Sequence, residues 1–118
     1  MTFRWVTLYV REFDRSLRFY HEVLGLPIDR QFGDGPRFAF LGAPDAPKVE
    51  LIWDPGQELA EVGKGISFGF AVPDLEGLRE RIRAICDAPL TGLISPNPQT
   101  TFCFVTDPDG YRVQLIQE

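Results

Sequence analysis

The chain has 118 residues, a formal net charge of −5 and 44% hydrophobic residues. That is the size of one domain with enough apolar content for a packed core, which excludes a disordered segment. No apolar run approaches the ~18 residues of a membrane span, no basic start precedes an apolar stretch as in a secretory leader, and acids and bases are interspersed without a basic stripe, so neither membrane nor nucleic acid is an expected partner.

The two cysteines, Cys86 and Cys103, stand far apart and form no CxxC pair. A disulfide framework and a zinc–cysteine site are therefore not expected, and the cytoplasm is the expected location. Both thiols are read as buried and inert.

Residues 3–10 are rich in aromatic and β-branched types and predict a strand. In "REFDRSLRFYHEVLGLP", Phe13, Leu17, Tyr20 and Leu24 recur at helical spacing, Gly25 suits the C-terminal cap, and Pro27 stops the helix. His21 follows Tyr20 beside that face and reads as a surface histidine. "GDG" at 33–35 predicts a hairpin turn, followed by a strand at 37–41, the loop "GAPDAP" and the strand "KVELIW". Trp53 shares the parity of Val49 and Leu51 and is assigned to helix packing.

Residues 54–65 are polar with glycines and read as a linker. The order then repeats. Residues 66–72 form a strand, Asp74 caps a helix whose face is Leu75, Leu78, Ile82 and Ile85, and 90–94 is a short strand. "SPNPQ" is a loop, 101–106 a strand, "DPDG" a tight turn, and 112–116 the last strand.

The repeat shows in residues too. "KVELI" at 48–52 matches "RVQLI" at 112–116, and "RWVTLYV" at 4–10 lies over "ISFGFAV" at 66–72, at offsets of 64 and 62 positions. The expected organisation is one domain made of a βαβββ module over 1–55, a linker over 56–65 and a second βαβββ module over 66–118. Either copy alone would bury too little surface, so the two are expected to pack as an α+β fold, a curved mixed sheet around a cavity with helices outside. Trp5 is then equivalent to Ser67, and Glu50 to Gln114, on the face lining the cavity. Phe38, Phe40, Phe102 and Phe104 alternate along their strands, and pattern alone leaves both parities open.

"FYHEVLGLP" after the first strand and "DPDGYRVQLI" at the end, with the repeat, resemble the vicinal oxygen chelate superfamily, which includes glyoxalase I, fosfomycin resistance proteins, extradiol dioxygenases and bleomycin resistance proteins. The resemblance covers nearly the whole chain. It implies that the Trp5, Glu50, Ser67 and Gln114 positions hold His, Glu and sometimes Gln in the metal enzymes, the ligands a catalytic divalent ion needs. Here Trp5 has no lone pair to give, Ser67 is a poor neutral ligand, and Gln114 replaces a carboxylate.

The resulting expectation is a small-molecule-binding protein of the bleomycin-resistance kind, without metal or cofactor, holding an aromatic or cationic compound such as an antibiotic. Trp5, Thr7, Glu50, Ser67, Arg112 and Gln114 are its expected ligand-contacting residues. Trp5 would stack on a flat ligand, Glu50 supply counter-charge, and Arg112 meet an anion at the rim. By the same resemblance the chain is expected to be a homodimer with cavities formed from both copies. The alternative is a divalent-metal-dependent lyase, isomerase or dioxygenase, a weak ion resting at Glu50 and Gln114, or Glu50 acting as base with Gln114 and Ser67 on an oxyanion. Ser67 as nucleophile is disfavoured because no histidine is aligned with it. A third possibility is a dimerising regulatory domain with a collapsed pocket.

Overall fold

The computed structural model describes residues 1–118. They divide into two compact units, Met1–Val62 and Gly63–Glu118. The α+β class holds, and the strands form two four-stranded mixed sheets, one in each unit. No helix is long and apolar enough to cross a membrane.

In the first unit β1 (Trp5–Tyr9), β2 (Ile28–Phe32), β3 (Arg37–Leu41) and β4 (Lys48–Trp53) pair in the order β1-β4-β3-β2. The β1–β4 pair is parallel and the other two are antiparallel. Leu8, Ala39, Leu41, Val49 and Leu51 are buried on one face of this sheet, with Phe13, Tyr20 and Val23 of the helical segment buried alongside. That segment is α1 (Phe13–Arg18) running into a π-helical turn over Phe19–Val23. The Leu24 amide donates to the Phe19 carbonyl five residues back, so each turn takes in an extra residue. The buried residues of the segment are Phe13, Ser16, Phe19, Tyr20 and Val23, and the expected Leu17 and Leu24 are only half-buried.

The second unit repeats the plan. Here β5 (Ser67–Ala71), β6 (Ile94–Asn97), β7 (Thr100–Thr106) and β8 (Arg112–Gln117) pair as β5-β8-β7-β6, with the β5–β8 pair parallel. Leu90 only bridges to Val105, and β6 takes in Ser95, Pro96 and Asn97 of the expected loop. Pro96 is tolerated because β6 is an edge strand, with one side free of ladder bonds. The Asp74 side chain caps α2 (Leu75–Ile85), accepting from the Gly77 amide at 3.0 Å. Leu75, Arg79 and Ile82 form its buried stripe, while Ile85 is exposed. Arg79 reaches the Thr91 carbonyl at 3.1 Å and Glu76 at 3.7 Å.

Cys103 is fully buried on β7 and Cys86 is half-buried at the end of α2, so only Cys103 matches the inert reading. Burial pushes the Cys103 thiol up from its usual range, against the opposing pull of Arg79. Its neutral form is favoured in the folded chain. The associated stability is present below the ordinary thiol value and is lost as pH rises through the raised one. At neutral pH a thiol reagent is expected to modify Cys86 in the native protein and to reach Cys103 only after unfolding. Two rapidly reacting native thiols would contradict this.

Candidate functional site

Directly paired residues in a sheet point to the same side, so the register decides which face each residue occupies. In the first unit Thr7 pairs with Glu50, and Glu50 with Phe40. Phe38 pairs with Ile52, which has the parity of Glu50. Trp5, Thr7, Glu50, Phe38 and Phe40 therefore share the face turned away from the helix. In the second unit Ser67 pairs with Arg112, and Gln114 with both Gly69 and Phe104. Ser67, Arg112, Gln114, Phe102 and Phe104 likewise share the face opposite the Val113–Leu115 core. The parity of the four phenylalanines, open from pattern alone, is thus resolved by strand pairing.

Glu50 is buried on a central strand of its sheet, and the Thr7 hydroxyl donates to its Oε1 at 2.6 Å. A bond this short is expected when a hydroxyl meets a charged carboxylate. Trp5 stands edge-on to Phe40 with centroids 5.3 Å apart, and the residue is 47% exposed. It is an open wall beside the carboxylate rather than core filling. Tyr9 on β1 and Phe32 on β2 also leave much of their rings exposed.

The second unit retains the ring and loses the acid. Gln114 stands in place of Glu50, Gly69 in place of Thr7, and Phe104 in place of Phe40. A Cβ on Gly69 would lie 3.1 Å from Ile116 and 3.5 Å from the Gln114 oxygen, so little room remains there for a side chain. Ser67 is exposed, and Arg112 lays its guanidinium 4.1 Å over the Phe104 ring. The expected residues thus form two groups, Trp5, Thr7 and Glu50 on one sheet and Ser67, Arg112 and Gln114 on the other.

His21 is exposed, as expected, with Nδ1 2.8 Å from the Leu26 carbonyl oxygen. Trp53 lies opposite Arg37 and lines an open cleft of about 480 Å³ beside the start of α1. The Arg37 guanidinium sits 4.2 Å over Phe13 and 3.2 Å from Asp14, so it is already engaged. Sequence reasoning missed Arg30. Its guanidinium lies 4.6 Å from the Phe40 centroid on the Glu50 face. The signal was the alternation Arg30, Phe32 facing Phe38, Phe40 across a hairpin.

The family model described as Glyoxalase/Bleomycin resistance protein/Dioxygenase superfamily matches residues 2–115. The lactoylglutathione lyase of Haemophilus influenzae is 32% identical over 120 residues, covering 93% of this chain and 87% of that protein. The probable chloroplastic lactoylglutathione lyase of Arabidopsis thaliana is 32% identical over 122 residues, and the chain spans 33% of its length. Among solved structures, the trypanothione-dependent glyoxalase I of Leishmania major superposes with a TM-score of 0.83 at 26% identity, covering 100% of this chain and 87% of that one.

These relatives overturn two expectations. The drug-sequestering reading fails, because relatives matched over most of their length are lyases. The expectation of no cofactor falls with it, since the lyases stand on the metal-enzyme side of the superfamily. Both were drawn from missing ligands, and missing ligands do not define an activity. The residues at the four family positions nevertheless do not fit a divalent ion. Trp5 cannot ligate, Ser67 and Gln114 offer only neutral oxygens, and one oxygen of Glu50 already accepts from Thr7. No group of three or more His, Cys, Asp or Glu side chains is placed to hold a metal.

Proposed function

Because this chain belongs to the glyoxalase/bleomycin resistance protein/dioxygenase superfamily, we propose that it is a lyase of the lactoylglutathione lyase type in which the Glu50 carboxylate carries the proton transfer. The observation that carries this reading is Glu50 itself, a buried carboxylate on an aromatic face with one oxygen accepting from the Thr7 hydroxyl.

A lactoyl thioester is an isomer of the hemithioacetal that a thiol forms with a 2-oxoaldehyde. Converting one into the other removes a proton from the carbon bearing sulfur and returns a proton to the neighbouring carbon. No electron acceptor is consumed. A single carboxylate serves both halves, first as base and then as conjugate acid. Thr7 holds one carboxylate oxygen, which fixes the group's rotamer and leaves the other oxygen for the substrate. Trp5 and Phe40 supply apolar walls on the face that carries the carboxylate.

Trp5, Thr7 and Glu50 are accordingly proposed as contacts to the reacting group, and Ser67, Arg112 and Gln114 as ligand contacts on their own sheet. The exposed rings of Trp5, Tyr9 and Phe32 support the expected homodimer, with a second copy covering them. The cytoplasm is proposed as the location, on the two free thiols.

The test is turnover of hemithioacetals made from methylglyoxal and small thiols, followed by thioester absorbance. Thioester formation above the uncatalysed rate is expected. Its absence across glutathione, N-acetylcysteine and mercaptoethanol would overturn the proposal.

A further inference from the structure

Arg30, Phe40, Glu50 and Thr7 form one rung across the whole first sheet. Arg30 pairs with Phe40, Phe40 with Glu50, and Glu50 with Thr7. Read across the strands, the face presents guanidinium, ring, carboxylate and hydroxyl. With neighbouring strands ~4.8 Å apart, the Arg30 and Glu50 backbones stand about 10 Å from each other with Phe40 between them.

The guanidinium is held by rings. It lies 4.6 Å from the Phe40 centroid and 5.6 Å from that of Phe32. Those two rings are within 17° of parallel, and Phe38 stacks on Phe32 at 4.9 Å, so the platform is rigid. Stacking occupies the flat side of a guanidinium and leaves its N–H edge facing outward. Arg15, Arg18 and Arg37 each meet a carboxylate, from Glu12, Glu22 and Asp14. Lys48, the other cation of this face, is taken up by the carbonyls of Ala43, Pro44 and Ala46. Arg30 has aromatic support instead of an acid.

We propose that Arg30 is the anion-recognising residue of this site, and that the substrate carries a carboxylate of its own about one ring's width from the carbon that Glu50 deprotonates. The inference rests on Glu50 as the base. A planar fork of N–H donors matches a carboxylate two-pronged, whereas a cationic compound would bring like charge against it. The second unit carries the same device without the base: Arg112 stacks on Phe104, beside Gln114 and Gly69. A ring-stacked arginine thus occurs on both sheets, though from different strands, and the acid–base group occurs in one.

The test compares two nearly isosteric thiols, N-acetylcysteine and N-acetylcysteine amide, which differ in one negative charge. Turnover of their methylglyoxal hemithioacetals is measured, and binding of their S-lactoyl thioesters is read by Trp5 fluorescence in a Trp53→Phe background. The acid is expected to bind and react at least tenfold better than the amide. Arg30→Gln is expected to bring that ratio close to one by weakening the acid alone, while Arg30→Lys keeps part of it. Equal handling of acid and amide by the unsubstituted protein, or a preference that survives Arg30→Gln, would overturn the proposal. A binding preference that Arg30→Gln removes, without turnover of either compound, would sink the lyase reading and leave Arg30 as the anion site.

Discussion

Glu50→Gln is expected to lower kcat/KM for thioester formation by about 10²–10⁴, the usual contribution of a positioned general base. The substitution preserves shape. An amide oxygen still accepts from the Thr7 hydroxyl, so the short contact at 2.6 Å has a successor and the melting temperature should move by only a few degrees. Loss of activity in a folded protein is then chemistry, not collapse. Thr7→Val removes the hydroxyl at nearly constant volume and should cost about tenfold, since it frees the carboxylate to rotate without removing it. The pair provides an internal check. If Thr7 acts only through Glu50, Thr7→Val should change nothing further in a Glu50→Gln background. Full activity in Glu50→Gln would move the base elsewhere on the chain and would end the proposed mechanism.

Much of this arrangement was readable before any coordinates. The offsets of 62 and 64 between matched strands equate Trp5 with Ser67 and Glu50 with Gln114, and the paired registers Trp5–Lys48 and Ser67–Arg112 repeat that equivalence. The details that escaped have physical causes. A π-helical turn leaves no mark in a hydrophobic pattern, and within it Phe19, Tyr20 and Val23 are buried while Leu24, just past its end, is half-buried. Two prolines in "SPNPQ" argued for a loop, because the penalty for proline in a sheet vanishes only at an edge, and edges are a property of topology. Arg30 was not singled out in the sequence at all. Its ring partners Phe32 and Phe40 lie two and ten positions away, and only the hairpin brings them under the guanidinium. The activity was legible least of all. The four family positions name the metal ligands that are missing, while a lone carboxylate with a hydroxyl beside it has no sequence signature.

Asp107→Ala is expected to be among the most damaging single changes outside the sheet cores, at about 2–4 kcal/mol. The Asp107 Oδ1 accepts from the amides of Asp109 at 2.9 Å and Tyr111 at 2.8 Å, in a turn where Asp107, Asp109 and Tyr111 are all buried. Alanine would strand both amides away from water. For a domain of this size the melting temperature should fall by roughly 10–15 °C. Asp107→Asn keeps the accepting oxygen and should lose less than half as much, which separates the hydrogen bonds from the charge. Gly63→Ala should damage the same turn from outside. Gly63 has φ +80°, and a Cβ there would stand 2.5 Å from the carbonyl carbon of Gly110. The consequence reaches the site, because this turn sets where β8 begins. In the native register Gln114 lies opposite Gly69 and Phe104, and Arg112 opposite Ser67. A slip of one residue would turn Arg112 and Gln114 to the helix side and bring Val113 and Leu115 out in their place. Asp107→Ala should therefore weaken the Arg112 stacking on Phe104 even in molecules that remain folded. Stability unchanged within about 1 kcal/mol would show that the turn holds its register without the carboxylate.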